Sequence, residues 1–264
     1  MTRIAGLNII KTPCCGALLS TTGYASINFM AFEYWTDGHD DGFLAPKGEG
    51  LRRCSCGRVF LIGDAECVKT IQTTKPIAPT GWESRKGNWW TRLMGRESRE
   101  EIVARYETRP LAVIDAEERS IPPRTRQVLD LELQEVIDSG ANDVRVEEVA
   151  RRLYWRYLNE PFRVIYRTFR EAQNEDAEEA GMYSTYLAYW PSAGQIQNME
   201  RLVKLLEAVD GPNWLEAAEL YRELGEMEAA TQALNRIAGS KQRLHSIVEA
   251  LVERNVRCPV AFSY

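Results

Sequence analysis

The sequence has little of what most enzymes use for catalysis. Its 264 residues include only two histidines, His39 and His245, which lie far apart in the chain. The sequence contains no G-x-S-x-G, H-E-x-x-H or G-x-G-x-x-G motif and no phosphate-binding P-loop. These absences disfavour an enzyme and favour a binding protein.

Long apolar runs are also missing. No segment approaches the roughly 20 consecutive apolar residues that a membrane-spanning helix needs. The few apolar residues before Lys11 are too short for the core of a signal peptide. The net charge of −5 disfavours a nucleic-acid-binding protein, although a local basic patch could still bind nucleic acid. We therefore expect a cytoplasmic protein without a membrane span.

What the chain does have is a concentration of cysteine: five of its six cysteines lie within the first 67 residues. They include two short clusters, Thr-Pro-Cys-Cys-Gly at 12–16 and Arg-Cys-Ser-Cys-Gly at 53–57. A glycine after each pair permits a positive-φ turn that directs backbone amides at the thiolate sulfurs. Four thiolates suit Zn²⁺ in a closed tetrahedral site. The predicted ligands of this structural zinc are Cys14, Cys15, Cys54 and Cys56, with His39 as a substitute; free thiols and a redox pair at 14–15 are the alternatives.

Residues 10–62 resemble the zinc-ribbon group, whose paired knuckles usually read Cys-Pro-x-Cys-Gly. Pro13, Cys15 and Cys56 match that pattern, as do the glycines that follow the cysteines. The first knuckle departs from it at Thr12, which stands where the leading cysteine is usual, and the second is contracted to Cys54-Ser55-Cys56. The resemblance implies a small β module built around a structural zinc. Between the knuckles, Asp37 and its neighbours are interpreted as a polar hairpin tip.

The fold class predicted for the whole chain is mainly α, with a small N-terminal β module before a helical body. Residues 1–67 are rich in Gly, Pro and β-prone runs and are assigned to the zinc-ribbon-like module. Residues 68–97 form a predicted linker rich in tryptophan and basic residues. Residues 98–264 carry apolar side chains at helical spacing and are predicted to form antiparallel helix hairpins, with Pro161 ending one helix. The clearest apolar stripe consists of Ile196, Met199, Val203 and Leu206.

Asn213–Ile237 resembles a single tetratricopeptide repeat. With Gly225 at the turn between two helices, the large and small packing positions of that family fall on Trp214, Ala218, Tyr221, Ala230 and Leu234. The resemblance implies a stacked helical hairpin, and helical-repeat arrays of this kind present concave surfaces to protein partners.

Two segments combine aromatic and basic residues and are candidate sites for a partner or an anion. In the linker, Trp82, Trp89 and Trp90 are interleaved with cations; their alternative role is to hold the zinc module against the helical body. The second segment is 151–170, whose guanidinium groups suit phosphate or carboxylate. The alternative is a solvated surface on which the acidic residues of 171–180 neutralise the arginines. The candidate residues of this segment are Arg152, Arg156, Arg163, Arg167 and Arg170.

The first functional hypothesis is therefore a non-enzymatic adaptor or subunit of a multiprotein assembly, with structural zinc. The second is a nucleic-acid-binding protein that uses the zinc module and the Arg/aromatic segments. The third is a hydrolase that uses His39 with Asp37 or Asp41.

Overall fold

The computed structural model describes residues 3–26, 34–39, 50–71, 121–139, 143–171, 190–209, 213–237 and 243–262, without the side chains of 3–5, 24–26 and 167–171. These ranges have a helical majority with small antiparallel sheets, in agreement with the coarse fold class predicted from the sequence. The chain divides into two compact units. Unit 1 comprises 1–28 and 52–126, and unit 2 comprises 29–51 and 127–264.

Unit 1 is built on an antiparallel sheet. Strand β1 (Arg3–Lys11) lies between β2 (Leu18–Ser26) and β6 (Glu66–Ile71), and it pairs with β2 from Lys11 opposite Leu18. A second small sheet has the order β5-β4-β7, with β4 at Leu51–Arg53, β5 at Val59–Leu61 and β7 at Arg126–Gln127. A 3-10 turn over Ile62–Asp64 follows β5.

Among the residues that the structure describes, the apolar core beneath the cysteines of unit 1 is small. Its buried members are Ile10, Leu19, Cys54 and Phe60. A core of this size stabilises a β module only weakly, because little apolar surface leaves water on folding. Small modules usually gain the missing stability from a cross-link, such as a bound metal or a disulfide.

Unit 2 contains seven α-helices within the described ranges. They are α1 (Leu133–Asp138), α2 (Val144–Leu158), α3 (Glu160–Glu171), α4 (Ala193–Ala208), α5 (Trp214–Leu224), α6 (Met227–Asn235) and α7 (Arg243–Glu253). None of these helices is long and apolar enough to cross a membrane.

Local sequence signals explain several helix ends. The Asp143 side chain accepts a hydrogen bond from the Arg145 amide and caps α2, and Ser192 caps α4 in the same way. Pro161 was expected only to end a helix. It lies in the first turn of α3, where its missing N–H costs no intrahelical hydrogen bond.

The helices pack through two apolar clusters. The first, from α2, α4 and α5, contains all of the predicted α4 stripe except Ile196 and comprises Trp155, Met199, Leu202, Val203, Leu206 and Leu220. The second joins α5, α6 and α7 and comprises Ala218, Ala230, Ala233, Leu234, Val248 and Val252. Between α5 and α6, Gly225 adopts a left-handed conformation with φ of +83°. The fully buried Ala218 and Ala230 allow these two helices to approach closely.

A short segment from between the two cysteine clusters belongs to unit 2. Strand β3 (Tyr34–Trp35) pairs antiparallel with β8 (Ala261–Phe262). The expected turn follows, since the Gly38 amide donates to the Trp35 carbonyl at 2.9 Å. The described part of the predicted polar hairpin tip is buried, since Trp35 and Asp37 are each only 1% exposed, and β3 pairs with the distant β8.

The predicted linker lies almost entirely outside the described residues. Of 68–97, only 68–71 are described, and they form the end of β6. Trp82, Trp89 and Trp90 are not among the described residues. Their assignment as a partner site or as an interdomain contact stays a prediction.

Candidate metal centre

Two tight turns in unit 1 carry the four candidate cysteines. In the turn between β1 and β2, the Thr12 amide donates to the Ala17 carbonyl at 2.9 Å, and the Gly16 amide to the Thr12 carbonyl at 3.0 Å. In the turn between β4 and β5, the Cys54 amide donates to the Arg58 carbonyl at 2.8 Å, and the Gly57 amide to the Cys54 carbonyl at 3.0 Å. Each turn is therefore closed by two backbone hydrogen bonds, and the first turn is one residue longer than the second.

The glycine after each cysteine pair has the backbone conformation expected from the sequence. Gly16 has φ of +71° and Gly57 has φ of +86°, both in the left-handed region that residues with a Cβ avoid. A Cβ at Gly57 would meet nothing within 4 Å. The requirement for glycine at this position is thus conformational and does not come from crowding.

The turns bring four sulfur atoms into one group. The Sγ atoms of Cys14, Cys15, Cys54 and Cys56 all lie within 4.8 Å of one another. The distance is 3.6 Å from Cys14 to Cys56, 3.5 Å from Cys15 to Cys54 and 4.0 Å from Cys14 to Cys15. A tetrahedron of sulfurs with metal–sulfur bonds of about 2.3 Å has edges of about 3.8 Å. The four thiols are free cysteines, and their spacing suits a single metal ion that they could hold together.

The sulfur group has a buried side and an exposed side. Cys54 is 4% exposed and packs in the small core with Phe60. Cys15 and Cys56 are exposed, and Cys14 is intermediate. An ion held here would therefore be anchored from the protein interior and accessible to solvent at the other side.

Thr12 is a contributor that the sequence comparison with zinc ribbons did not identify. It occupies the position of the usual leading cysteine, and it is 2% exposed. Its Oγ1 lies 3.5 Å from Cys15 Sγ and 3.6 Å from Cys54 Sγ. The hydroxyl thus contacts two of the sulfurs from the position where zinc ribbons usually have their leading cysteine.

The thiols influence one another's protonation. Burial raises the pKa of Cys54, but hydrogen bonds from the Cys56 amide, Thr12 and the adjacent thiols outweigh it and bring the pKa to about 6. Burial and the neighbouring thiols raise the pKa of Cys14 to about 12. The Thr12 hydroxyl and the Ala17 amide lower the pKa of Cys15. The group therefore contains thiolate, the form that binds metals, at neutral pH.

The structure does not bring His39 into this group. Among the described residues the group consists of cysteines alone, and His39 belongs to unit 2. The proposed partner of His39 in hydrolysis is engaged elsewhere. One Asp37 oxygen accepts from Arg163 at 2.7 Å, and the other accepts from the His39 backbone amide at 3.0 Å. Asp41 lies outside the described residues.

The candidate arginines bind groups of their own unit. Arg152 contacts Glu148 at 2.6 Å and Glu216 at 2.5 Å. Arg156 donates through Nε to the Asp37 carbonyl at 3.0 Å, and Arg163 is buried against the Asp37 carboxylate. The groups that neutralise these arginines therefore include residues far from 171–180. Residues 172–180 lie outside the described residues. Arg167 and Arg170 lie in α3, and their side chains are not described.

Sequence reasoning also missed a buried polar network in unit 2. Glu223 accepts from Trp155 Nε1 at 2.8 Å, and the Asn159 amide lies 3.3 Å from the same carboxylate oxygen. Glu219 and Arg222 form a second buried pair at 2.5 Å. Burial and the Glu219 carboxylate raise the pKa of Glu223 well above its ordinary value. Three charged residues at i, i+3 and i+4 of one helix are typical of a solvated face, so the local sequence does not indicate that they are buried.

Comparison of the chain with protein-family models, curated proteins and solved structures finds no match.

Proposed function

We propose that the chain is a zinc-stabilised, non-enzymatic adaptor or subunit of a multiprotein assembly in the cytoplasm. The observation that carries the proposal is the group of four cysteine sulfurs within 4.8 Å, drawn from two turns. Four soft thiolates at tetrahedral spacing favour Zn²⁺ among the metals common in proteins. Four protein ligands leave no position for a reactive water, so the metal has a structural role.

A structural role also fits the rest of unit 1. Its two hairpin-like turns are 39 residues apart in sequence, counted from Cys15 to Cys54, and the described part of the core beneath them is small. A metal that joins the turns would fix their relative position, because its binding free energy adds to that of folding. We therefore assign unit 1 to a zinc-ribbon-like module in which Thr12 replaces one conventional ligand.

The adaptor role is supported by the helices of unit 2. The α5–α6 pair has the small-residue contact and the glycine turn that its resemblance to a tetratricopeptide repeat implies. Stacked helical hairpins of that kind expose extended faces to protein partners. Nucleic-acid binding has less support, because Arg152, Arg156 and Arg163 bind groups of the protein itself.

Native mass spectrometry of the full chain tests the metal and the partner together. We expect one Zn²⁺ per chain, lost in Cys15→Ser and retained in Cys67→Ser, since Cys67 lies outside the group of four. A wild-type protein purified with zinc present that carries no metal would contradict the zinc site. Affinity capture from cells should recover a stoichiometric partner chain, and an isolated monomer with no partner would contradict the adaptor role.

A further inference from the structure

The geometry points to a modification site within the cysteine group: hydrogen peroxide joins Cys14 and Cys56 in a disulfide and thereby releases the bound Zn²⁺. This inference rests on the proposed zinc site. It assigns the pair whose sulfur–sulfur contact is exposed to oxidation, and the pair that includes the buried Cys54 to retention of the thiol form.

Distance singles out two pairs of sulfurs that could be joined across the two turns. Cys14 Sγ lies 3.6 Å from Cys56 Sγ, and Cys15 Sγ lies 3.5 Å from Cys54 Sγ. Either contact must shorten by about 1.5 Å to reach the roughly 2.05 Å of a disulfide. The remaining short contact, 4.0 Å between Cys14 and Cys15, joins neighbours in the chain. A disulfide between adjacent residues is disfavoured, because it closes a small strained ring.

Solvent access decides between the two cross-turn pairs. The contact of Cys14 with Cys56 is exposed, whereas that of Cys15 with Cys54 is partly buried because Cys54 is only 4% exposed. Peroxide must reach a sulfur along the axis of its own O–O bond, so an exposed thiolate reacts first. A Cβ at Gly57, the residue after Cys56, would meet nothing within 4 Å, so no other group packs on that side of the turn.

The chemical step balances with peroxide as the only oxidant. One thiolate sulfur attacks a peroxide oxygen, the O–O bond breaks, and a sulfenic acid and hydroxide form. The second thiolate attacks the sulfenic sulfur, the S–S bond forms, and the S–O bond breaks to release a second hydroxide. The two thiolates lose two electrons in total, and two protons from solvent convert the hydroxides to water. Zn²⁺ keeps only Cys15 and Cys54, and two thiolates hold it far more weakly than four.

The test uses the full-length protein after its zinc content has been measured. Zinc-loaded protein is treated with hydrogen peroxide, released Zn²⁺ is followed with a chromogenic chelator, and disulfides are counted by mass spectrometry without reduction. We expect one Zn²⁺ released per disulfide formed, with recovery of zinc binding after a thiol reductant and Zn²⁺ are added. Cys67→Ser, which removes an exposed cysteine outside the group, should behave as the wild type does.

The position of the disulfide must be read from fragment ions. Trypsin leaves Cys14 and Cys15 in one peptide (12–47) and Cys54 and Cys56 in another (54–58), so peptide masses alone do not distinguish the pairs. Fragmentation of the wild-type peptide pair should place the bond between Cys14 and Cys56. This assignment of the disulfide uses the wild-type protein alone. It therefore does not depend on whether a variant such as Cys56→Ser still binds zinc.

Several results would overturn the inference. Zinc that stays bound after a disulfide forms would do so, as would a bond between Cys15 and Cys54 as the main product. Zinc loss with sulfinic acid at Cys14 and no disulfide would also reject it. These outcomes require protein that carried zinc at the start, and they leave the zinc site itself intact. A protein without zinc before treatment would instead contradict the proposed function.

Discussion

The substitution Asp37→Asn tests the buried ion pair that fixes the 34–39 segment in unit 2. Arg163 and Asp37 have side chains that are 1% and 0% exposed, and their closest atoms lie 2.7 Å apart. Asp37 also accepts from the Asn159 side chain at 3.0 Å. In the variant, the new amide nitrogen would face at least one donor whichever way the amide points, and the guanidinium would lose its buried counter-charge. We therefore expect a large loss of stability.

The size of the effect follows from the burial of both partners. Removal of one member of a buried, hydrogen-bonded ion pair costs about 3–5 kcal/mol, because the other charge is left without compensation. For a unit of this size, each kcal/mol shifts the melting temperature by about 2–4 °C, so a decrease of roughly 6–20 °C is expected. The same arginine offers a matched control, Glu160→Gln, since Glu160 contacts it at 2.9 Å but is 39% exposed. The control should cost at most about 1 kcal/mol.

Urea unfolding followed by tryptophan fluorescence provides the measurement. Trp35 and Trp155 are both almost fully buried in unit 2, so their emission reports its unfolding. An Asp37→Asn variant as stable as Glu160→Gln would refute the reasoning. It would mean that the buried guanidinium needs no carboxylate partner, or that water reaches it.

Three further predictions concern other parts of the chain. Because the folded protein keeps the Glu223 proton at pH values where the unfolded chain has lost it, the free energy of unfolding should fall as pH rises above the ordinary glutamate pKa. The slope should reach about 1.4 kcal/mol per pH unit, and it should disappear in Glu223→Gln when urea unfolding is compared from pH 5 to 8. Gly38→Ala should lower the free energy of unfolding by about 1–3 kcal/mol, because φ is +76° and a Cβ would lie 2.7 Å from the Arg156 guanidinium. The control Gly194→Ala in α4 should not destabilise the protein, since a Cβ there would meet nothing within 4 Å. Thermal unfolding of both variants checks this prediction. Removal of metal with a chelator should increase amide exchange in the turn at Cys54 and leave α4 and α5 unchanged, as hydrogen–deuterium exchange would show.

The sequence predicted the parts of the fold that depend on local chemistry. The cysteines and the glycines after them predicted two turns with positive φ immediately after the second cysteine, and both glycines have it. The stripe in α4 and the glycine between α5 and α6 follow from helical spacing and from helix termination. These features are encoded within a few residues of where they occur.

The features that the sequence did not predict depend on distant partners. Asp37 lies in a turn, as its neighbours indicate, but its burial depends on Arg163, which is 126 residues away. Glu223 has the sequence surroundings of an exposed glutamate, and only the packing of Trp155 from another helix reveals the network. Local propensity contains no information about such pairs, so burial of a charge must be read from the three-dimensional arrangement.

The path of the chain between its two units has a practical consequence for dividing the protein into pieces. The chain passes from unit 1 to unit 2 after residue 28, returns after residue 51 and leaves again after residue 126. A fragment that stops at residue 126 retains all four thiols of the group, but it also carries Trp35 and Asp37 without the helices that bury them. A fragment that starts at residue 127 lacks strand β3, so β8 has no pairing strand and Arg163 loses its buried carboxylate. Neither half is therefore expected to keep its structure when it is produced by a single cut.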